Sequence, residues 1–360
     1  MIPVTKPFLP PIEEYNTLVQ DIFDREWLTN NGPLVNDLEL QLKQRLQLDH
    51  LLYVGNGTIA LQIAIKALNL KGKVITTPFS YVATSSSLVW EGCEPVYVDI
   101  EPDGFNIDAS KIEAAITPEV TAIVATHCFG IPCDVQAIQV IADRHNLKVI
   151  YDAAHAFGTT VNGRSIFEFG DISTCSFHAT KLFHSIEGGM VVTKSPDLLR
   201  RMSKMRNFGH DGPEHFDGVG INGKNSEFHA AMGIVNLRYL DDILERRRAQ
   251  CSFYSELLAN MDLTVPDATN EAWNCAYFPV VFMTEAQCLG LKAELEKAEI
   301  FARRYFYPSL NTINDWGTDN CPNSDSIASR ILCLPLFHSL SFDEMKFIVR
   351  LLKRKLRYGS

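Results

Sequence analysis

A glycine-rich turn at residues 55–58 (Gly-Asn-Gly-Thr) has the residue types of a seat for a phosphate group. It follows a strand-like run at 51–54 and precedes an apolar run that has the length of a helix. Small residues let backbone N–H groups approach an anion, and the N-terminus of a helix adds positive potential. The turn matches neither a P-loop nor the G-x-G-x-x-G fingerprint. A simple glycine turn in which Thr58 caps the helix fits the same residues, so both interpretations stay open.

A carboxylate stands at the end of a second apolar run, where Val149, Ile150 and Tyr151 lead into Asp152. In an open α/β sheet, ligands bind at the carboxyl ends of the strands. A buried aspartate needs a cationic or hydrogen-bonding partner, and a protonated ring nitrogen would be one. The alternative is that Asp152 is the N-cap of a helix that follows it.

A lysine follows a third strand-like run, in residues 176–181 (Ser-Phe-His-Ala-Thr-Lys). A lysine at such a strand end, flanked by small hydroxyl residues, can have a lowered pKa and form a Schiff base. Residues 187–189 (Glu-Gly-Gly) then allow a tight return into the next strand. An ordinary surface lysine beyond a strand end is the alternative interpretation of Lys181.

The order of these three features predicts a site for pyridoxal 5'-phosphate. Gly57, Thr58 and a nearby hydroxyl such as that of Ser176 would hold the phosphate. Asp152 would keep the pyridine nitrogen protonated, so that the ring can accept electrons. Lys181 would bind the aldehyde and then move a proton.

These residues need a sheet that brings the strand ends together, and the first two thirds of the chain alternate strand-like and helix-like runs. The apolar patterns predict strands at 73–77, 95–100, 122–127, 148–152, 172–177 and 189–193. They predict helices at 57–70 and 134–146, the first of them directly after the glycine turn. Strands that alternate with helices indicate an α/β protein with a mostly parallel sheet.

The pattern changes at about residue 226, and residues 226–260 predict long helices. The run at 245–248 (Glu-Arg-Arg-Arg) within them is interpreted as a solvated helix face. Strands at 277–283, 301–305 and 331–334, a helix at 285–299 and a final helix with a capping box at 341–344 form a smaller unit. We therefore expect a large domain over residues 1–245, including an N-terminal arm, and a small C-terminal α/β domain over 246–360.

The composition excludes several classes of protein. Of 360 residues, 46% are hydrophobic and 21% are charged, which is typical of a globular chain. The net charge of −10 argues against nonspecific nucleic-acid binding, and it means that an anionic substrate needs a local cationic pocket. Neither a signal peptide nor an apolar stretch of about 20 residues is present, so no membrane association is expected. Nine scattered cysteines without a CxxC pattern predict free thiols in a cytoplasmic protein and no metal site.

Seven stretches taken together resemble the nucleotide-sugar aminotransferases of the DegT/StrS family. They extend over nearly the whole chain and lie at 27–33, 55–58, 77–84, 152–155, 176–181, 187–189 and 222–228. The resemblance implies the aspartate-aminotransferase fold, also called PLP fold type I, with pyridoxal 5'-phosphate as the cofactor. It also implies a homodimer with shared active sites.

The resemblance gives roles to individual residues. Lys181 matches the Schiff-base lysine of the family, and Asp152 matches the partner of the pyridine nitrogen. His155 stands where the family contacts the 3-oxygen of the cofactor, and Tyr81 matches the aromatic residue that stacks on the pyridine ring. Asn222 matches an asparagine that reaches the phosphate in the neighbouring subunit. Three further residues match phosphate contacts: Gly57, Thr58 and Ser176.

The residue at position 181 also bears on the reaction, because one branch of the family has histidine there and dehydrates sugars. Lys181 therefore implies transamination. Residues 2–10 and 176–184 look like those of enzymes that move an amino group from L-glutamate to C4 of dTDP-4-dehydro-6-deoxy-D-glucose. The implied product is dTDP-4-amino-4,6-dideoxy-D-glucose, a sugar for O-antigen polysaccharide.

Contacts with the nucleotide-linked keto sugar are harder to assign. A dianionic substrate needs cations in this acidic protein, and Lys224, Arg303 and Arg304 are candidates together with Thr29. Ordinary surface arginines fit the same positions. Four alternatives stay open: a C3 aminotransferase for a dTDP-3-keto-6-deoxyhexose, an aminotransferase for a UDP-linked 4-keto sugar, a different PLP reaction, and a non-catalytic regulator on the same fold.

Overall fold

The computed structural model of the chain describes residues 1–270, 272–313, 316 and 319–358. The helices are α1 (Ile12–Arg25), α2 (Pro33–Leu46), α3 (Gly57–Ala67), α4 (Ala83–Trp90), α5 (Ala109–Ile112), α6 (Val135–His145), α7 (Pro196–Met205), α8 (Glu227–Arg238), α9 (Leu240–Leu258), α10 (Glu285–Lys297), α11 (Pro322–Arg330) and α12 (Phe342–Tyr358). The strands are β1 (Ile2–Pro3), β2 (Leu51–Val54), β3 (Gly72–Thr76), β4 (Cys93–Tyr97), β5 (Val120–Thr126), β6 (Lys148–Asp152), β7 (Thr160–Val161), β8 (Arg164–Ser165), β9 (Ile172–Ser176), β10 (Gly189–Val192), β11 (Phe278–Val281), β12 (Ile300–Phe301) and β13 (Ile331–Leu334).

Seven strands form the central sheet, in the order β2-β10-β9-β6-β5-β3-β4. Strand β10 is antiparallel to both of its neighbours, β2 and β9, while the other neighbouring pairs in this sheet are parallel. Parallel neighbours end at the same edge of a sheet, so the carboxyl ends of β9, β6, β5 and β3 lie side by side. The mostly parallel α/β sheet predicted from the sequence is confirmed.

Helices cover both faces of this sheet. Successive residues of a strand point to opposite faces, so each strand contributes side chains to two separate cores. In β6, Val149 and Tyr151 belong to a core that includes side chains of α2, α6 and α8. Ile150, which lies between them, belongs to a second core that includes side chains of α3. Burial on both faces explains why these strands are continuous apolar runs rather than alternating ones.

The C-terminal part of the chain has a core of its own, formed by α9, α10, α12 and the antiparallel pair β11 and β13. The start of the chain joins this part, because β1 pairs with β12 in parallel. Helix α9 runs without a break through the expected domain boundary between residues 245 and 246. The division into two domains stays a prediction, to which the structure adds that the first strand lies with the C-terminal strands.

Several predicted elements have shifted ends. The strand expected at 95–100 is β4 at Cys93–Tyr97, and the strand expected at 301–305 is only the short β12 at Ile300–Phe301. The capping box at the start of α12 is confirmed, because Glu344 N–H donates to Ser341 Oγ while Ser341 N–H donates to the Glu344 carboxylate. Local hydrogen bonds of this kind are readable from sequence, whereas the length of an edge strand depends on its partner.

The charged run at 245–248 was interpreted as a solvated helix face, and this interpretation is wrong for Arg247. This side chain is only 3% exposed, and its guanidinium donates to the carbonyl oxygens of Ala276 and Leu336. Burial lowers the pKa of Arg247 to about 10. Arg247 therefore ties α9 to two segments of the C-terminal core instead of facing solvent.

The described helices include none that is long and apolar enough to cross a membrane. All nine cysteines are buried as free thiols. Cys175, for example, lies in one core of the central sheet, where a thiol packs as a small apolar side chain.

Candidate active site

A cleft of about 450 Å³ opens at the carboxyl edge of the central sheet. The ends of β5, β6 and β9 contribute to it, together with the start of α3 and the segment that follows β12. The following residues that were singled out in the sequence line this cleft: Gly57, Thr58, Tyr81, Asp152, His155, Ser176, Lys181 and Arg303. The fold therefore brings the glycine turn, the aspartate and the lysine into one place.

The glycine turn presents free backbone donors to the cleft. Asn56 caps α3, because its side-chain oxygen accepts a hydrogen bond of 2.8 Å from the N–H of Ile59. The alternative in which Thr58 is the cap is therefore wrong. The N–H groups of Gly57 and Thr58 lie in the first helical turn, where no carbonyl of the helix can reach them. These donors and the positive end of the helix suit a phosphate, and Ser176 lies beside them in the cleft.

Asp152 is a buried carboxylate at the end of β6. Its Oδ2 accepts a hydrogen bond of 2.6 Å from the Thr84 hydroxyl, and its Oδ1 accepts one of 3.1 Å from the N–H of Ala154. Burial raises the pKa of Asp152, while these two hydrogen bonds and the charge of Lys181 act in the opposite direction. None of the described helices begins directly after Asp152, so the N-cap interpretation is wrong. A carboxylate held in this way can pair with a cationic group in the cleft.

Lys181 lies in the turns between β9 and β10, and it lines the same cleft. Burial lowers the pKa of the Lys181 amine, although the charges of Asp152 and of Tyr305 oppose this effect. A lowered pKa increases the fraction of free amine near neutral pH, and the free amine is the form that attacks an aldehyde. The alternative of an ordinary surface lysine does not agree with this position.

His155 forms part of the cleft wall as a neutral imidazole. Its ring stacks on Phe306 with 5.7 Å between centroids and 5° between planes, and Tyr277 meets it edge-on at 4.9 Å. Burial, and then the charge of Lys181, lowers the pKa of His155 well below its ordinary value. Its Nδ1 atom is buried and has no hydrogen-bond partner among the described residues. Such an atom is available to a bound molecule.

Pyridoxal 5'-phosphate fits the residues that line this cleft. The first turn of α3 would hold its phosphate, and the buried carboxylate of Asp152 would face its protonated ring nitrogen. The unpaired Nδ1 of His155 would meet a polar atom on the ring. Tyr81, which is 57% exposed in the cleft, has a ring face free to cover a flat ligand.

Three predicted contacts lie outside the cleft of their own subunit: Thr29, Asn222 and Lys224. Thr29 and Asn222 are exposed, and the Lys224 amine donates to Asn207 Oδ1 at 2.7 Å. The role expected for Asn222 concerns the neighbouring subunit, so its exposure suits that role. These three contacts stay predictions.

The structure also places Arg304 outside the cleft of its own subunit, so its role as a substrate contact stays a prediction. The Arg304 guanidinium donates to Glu285 at 2.8 Å and to the carbonyl oxygen of Ser329 at 2.7 Å. It packs over the ring of Tyr307, with 3.6 Å between the guanidinium carbon and the ring centroid. Arg303, its neighbour in sequence, points into the cleft and lies 5.1 Å from the ring centroid of Tyr305.

Sequence reasoning did not single out two groups of residues in or directly behind the cleft wall. One group comprises the hydroxyl residues behind Asp152, which are Ser80, Thr84 and Thr126. The other comprises the aromatic residues of the C-terminal part, which are Tyr277, Tyr305 and Phe306. The position of Thr126 at the end of a buried strand was a usable signal, because strand ends meet at this edge.

Comparison with known proteins places these features in one family. A sequence profile of the DegT/DnrJ/EryC1/StrS aminotransferase family matches residues 11–353. A protein of Shigella dysenteriae, dTDP-4-amino-4,6-dideoxy-D-glucose transaminase, is 42% identical over 355 residues, which cover 96% of each chain. A protein of the same name from Escherichia coli is 39% identical over 99% of each chain.

A solved structure shares the whole fold. The crystal structure of DesI in the presence of its TDP-sugar product superposes with a TM-score of 0.93 at 33% sequence identity. The match covers 99% of this chain and 93% of that one. The fold expected from the resemblance is confirmed.

Proposed function

The chain belongs to the DegT/DnrJ/EryC1/StrS aminotransferase family, and on this premise we propose that it moves an amino group from L-glutamate to C4 of dTDP-4-dehydro-6-deoxy-D-glucose. The product would be dTDP-4-amino-4,6-dideoxy-D-glucose, used for O-antigen polysaccharide. The fold is the aspartate-aminotransferase fold, PLP fold type I, and the family uses pyridoxal 5'-phosphate. Two relatives that carry the name of this activity over nearly the whole chain support the choice of substrate.

One observation carries the proposal, namely that the amine of Lys181 and the carboxylate of Asp152 line the same cleft. Each group is influenced by the charge of the other, and burial is the main influence on both pKa values. Perturbed titratable groups that converge in a cleft are typical of acid–base chemistry. A non-catalytic protein on this fold would have no need to bury either group.

Pyridoxal 5'-phosphate, when bound, supplies an aldehyde that takes up the amino group and a ring that withdraws electrons. The amine of Lys181 would hold that aldehyde between turnovers. Lys181 Nζ would then accept the proton from the α-carbon of L-glutamate, and in the second half of the cycle it would deliver a proton to C4 of the sugar. Asp152 would keep the ring nitrogen protonated, and His155 Nδ1 would orient the ring through its hydroxyl.

Arg303 is the cation that we propose for the anionic substrates. It lines the cleft beside Lys181, and its guanidinium packs against the ring of Tyr305. The protein has a net charge of −10, so a cation at this position, which forms no ion pair with the described residues, would counter the repulsion of a sugar diphosphate or a dicarboxylate. Arg303 is proposed as a binding residue and Lys181 as the catalytic one.

We also propose a homodimer with shared active sites, in which Asn222 reaches the phosphate in the neighbouring subunit. Apolar side chains are exposed on the segments that carry Thr29 and Asn222: Trp27 and Leu28 on the first, and Phe208 and Val219 near the second. A second copy of the chain would cover this surface. Nine free thiols suit the cytosol as the location of the enzyme.

The experiment that tests the function is product NMR after incubation with pyridoxal 5'-phosphate, L-glutamate and dTDP-4-dehydro-6-deoxy-D-glucose. An equatorial amine at C4 of the sugar, absent from a parallel reaction with the Lys181→Ala variant, is the expected result. An amine at C3, or turnover only with a UDP-linked sugar, would instead identify one of the two aminotransferase alternatives. A protein that holds the cofactor on Lys181 but makes no amine from any of these sugars would contradict the proposed function.

A further inference from the structure

Three buried hydroxyl groups stand in series behind Asp152. The Thr84 hydroxyl donates to Asp152 Oδ2 at 2.6 Å. Ser80 Oγ lies 2.8 Å from Thr84 Oγ1, and Thr126 Oγ1 lies 3.1 Å from Ser80 Oγ. All three side chains are at most 3% exposed, although Ser80 and Thr126 also line the cleft. A series of this length across the sheet edge is more than the single hydrogen bond needed to satisfy one carboxylate oxygen.

The direction of the series follows from counting hydrogen atoms. A hydroxyl has one hydrogen to donate, and Thr84 uses its hydrogen on the carboxylate. Between Thr84 and Ser80, the donor must then be Ser80. Ser80 has no second hydrogen, so Thr126 must be the donor to Ser80. All three O–H dipoles therefore point toward Asp152.

The fold sets up this series from three neighbouring parts of the sheet edge. Thr126 is the last residue of β5, and Asp152 is the last residue of the adjacent strand β6. Ser80 and Thr84 lie after β3, which is the next strand on the other side of β5. Parallel strands that end together thus place oxygen atoms from distant parts of the chain within hydrogen-bond reach.

We propose that Thr126, Ser80 and Thr84 form a one-way hydrogen-bond chain that keeps Asp152 ionised and positioned toward the cofactor ring nitrogen. Burial alone favours the neutral form of a carboxylate, and donors to its oxygens favour the charged form. Hydrogen bonds in series polarise one another, so the distant members strengthen the last bond. The three residues are positioning residues, since their proposed action on the cofactor passes through Asp152. The inference rests on the proposed function and deepens it.

Few other groups near the Asp152 carboxylate can stabilise its ionised form. Among the described residues, the titratable groups that interact with it are Lys181, from the turns after β9, Cys128, from the segment after β5, and Cys175, from β9. Burial raises the pKa of both thiols, so they stay neutral and add no positive charge. Lys181 favours the ionised carboxylate, but burial lowers its own pKa and weakens that support. The hydroxyl chain stabilises the ionised carboxylate of Asp152 without needing a second charged group.

The test measures the ionisation of Asp152 in the apoprotein, by carbon-13 NMR of labelled aspartate carboxyl groups over a pH series. The resonance that disappears in Asp152→Asn identifies the residue. We expect Thr84→Val to raise the pKa of Asp152 by about one unit, a tenfold shift of the equilibrium. Ser80→Ala and Thr126→Val should shift it in the same direction by successively less. Thr84→Ser, which restores a hydroxyl, should return it toward the wild-type value.

A matched control is Thr76→Val. The Thr76 hydroxyl is also fully buried on the sheet, but it donates to the carbonyl oxygen of Val124 at 2.8 Å. This variant should leave the titration of Asp152 unchanged. If Thr76→Val produced the same shift as Thr84→Val, general loosening of the sheet would be the cause and the proposal would be overturned.

Two further outcomes decide between a chain and a single bond. If Ser80→Ala and Thr126→Val both left the titration of Asp152 unchanged, the chain would be refuted even if Thr84→Val had an effect. These two variants do not touch the carboxylate, so they carry the test if Thr84→Val fails to fold.

Affinity for pyridoxal 5'-phosphate should fall in the same order as the shifts in the pKa of Asp152. The apoprotein titration needs no turnover, so a wild-type protein without aminotransferase activity would contradict the proposed function and leave this inference standing.

Discussion

A Cβ atom added to Gly57 would lie 2.9 Å from the Cβ atom of Ser176. The first turn of α3 therefore rests directly on the end of β9, with no room for a side chain between them. This close approach holds the free N–H groups of the helix start next to the Ser176 hydroxyl. A phosphate placed there would contact the helix end and the strand end at the same time.

Gly57→Ala should weaken the binding of pyridoxal 5'-phosphate by tenfold or more, which corresponds to about 1.4 kcal/mol. The added methyl group would push the helix start away from Ser176 and enlarge the phosphate seat. The matched control is Gly55→Ala in the same turn, since a Cβ there would meet its nearest atom, the carbonyl oxygen of Lys224, at an ordinary 3.5 Å. Titration of both apoproteins with the cofactor measures the difference. Equal affinities would contradict the role of this contact.

Arg303 and Arg304 should respond in opposite ways to substitution. Arg303→Gln removes a cation from the cleft, so we expect kcat/KM to fall about tenfold or more with little change in Tm, since a charged hydrogen bond contributes about 1.5–3 kcal/mol. Arg304→Gln removes hydrogen bonds to Glu285 and to the carbonyl of Ser329, so we expect its main effect on the free energy of unfolding, a loss of about 2 kcal/mol.

Steady-state kinetics and urea denaturation of both variants give the two readouts. Each arginine variant is the control for the other, because the residues are adjacent in sequence and carry the same charge. If Arg304→Gln lost kcat/KM but kept full stability, Arg304 would be a substrate contact, and the assignment of binding to Arg303 and of stability to Arg304 would be wrong.

The three main features of the site could be predicted because their signals are local. Asp152 and Lys181 follow apolar strands, and Gly57 starts a helix after a glycine turn. A parallel sheet places all such ends at one edge, so the pattern of elements brought these residues together without knowledge of any side-chain contact. The same reasoning gave the sheet and three of the helices that pack on it, α3, α6 and α8.

The remaining features depend on contacts between distant parts of the chain. The bond from Thr84 to Asp152 joins residues 68 positions apart, and nothing in either local sequence reveals it. The sequence likewise does not show which of two adjacent arginines faces the cleft, because that depends on where Glu285 lies. Arg247 stands in a charged run and is buried only because two distant carbonyl oxygens meet it. Six of the described helices were not predicted either: α1, α2, α4, α5, α7 and α11.

Lys181→Ala should abolish turnover while the fold is kept. The side chain lines the cleft, and the backbone hydrogen bond from the Lys181 N–H to the carbonyl of His178 is preserved by alanine. Circular dichroism checks the fold, and borohydride reduction followed by peptide mass analysis locates the cofactor in the wild type. Lys148→Ala, at the opposite end of β6, is the matched control and should keep its turnover. Residual turnover of Lys181→Ala would remove the catalytic role of this lysine.

The lowered pKa of Lys181 gives a pH dependence to cofactor capture. Only the free amine reacts with an aldehyde, so the capture rate of the apoprotein should rise with pH and level off below 10.5, the ordinary lysine value. Stopped-flow absorbance over a pH series measures this profile. A midpoint at or above the ordinary value would show that burial does not act on Lys181 as described.

His127 should make the protein sensitive to acid. Burial lowers the pKa of His127 from 6.5 to about 3, so below 6.5 the unfolded chain binds a proton that the folded chain does not. Stability therefore falls with falling pH by about 1.4 kcal/mol per pH unit until the folded pKa is reached. His127→Gln should remove that part of the slope in urea denaturation of the apoprotein. His215→Gln, at a side chain that is 71% exposed, should keep the wild-type slope, and equal slopes in both variants would contradict the prediction.

Hybrid dimers test the shared active site that is proposed for Asn222. The variants Lys181→Ala and Asn222→Ala should each be impaired as homodimers, the first in catalysis and the second in cofactor binding. A hybrid dimer with one variant in each subunit contains one site with an intact Lys181 and, from the other subunit, an intact Asn222. After purification with two different tags, this hybrid should therefore show half of the wild-type turnover. A hybrid of one Lys181→Ala chain and one wild-type chain is the control and should show the same turnover. If Asn222 acted in its own subunit, one site of the first hybrid would lack Lys181 and the other would lack Asn222, so its turnover would be half that of the Asn222→Ala homodimer.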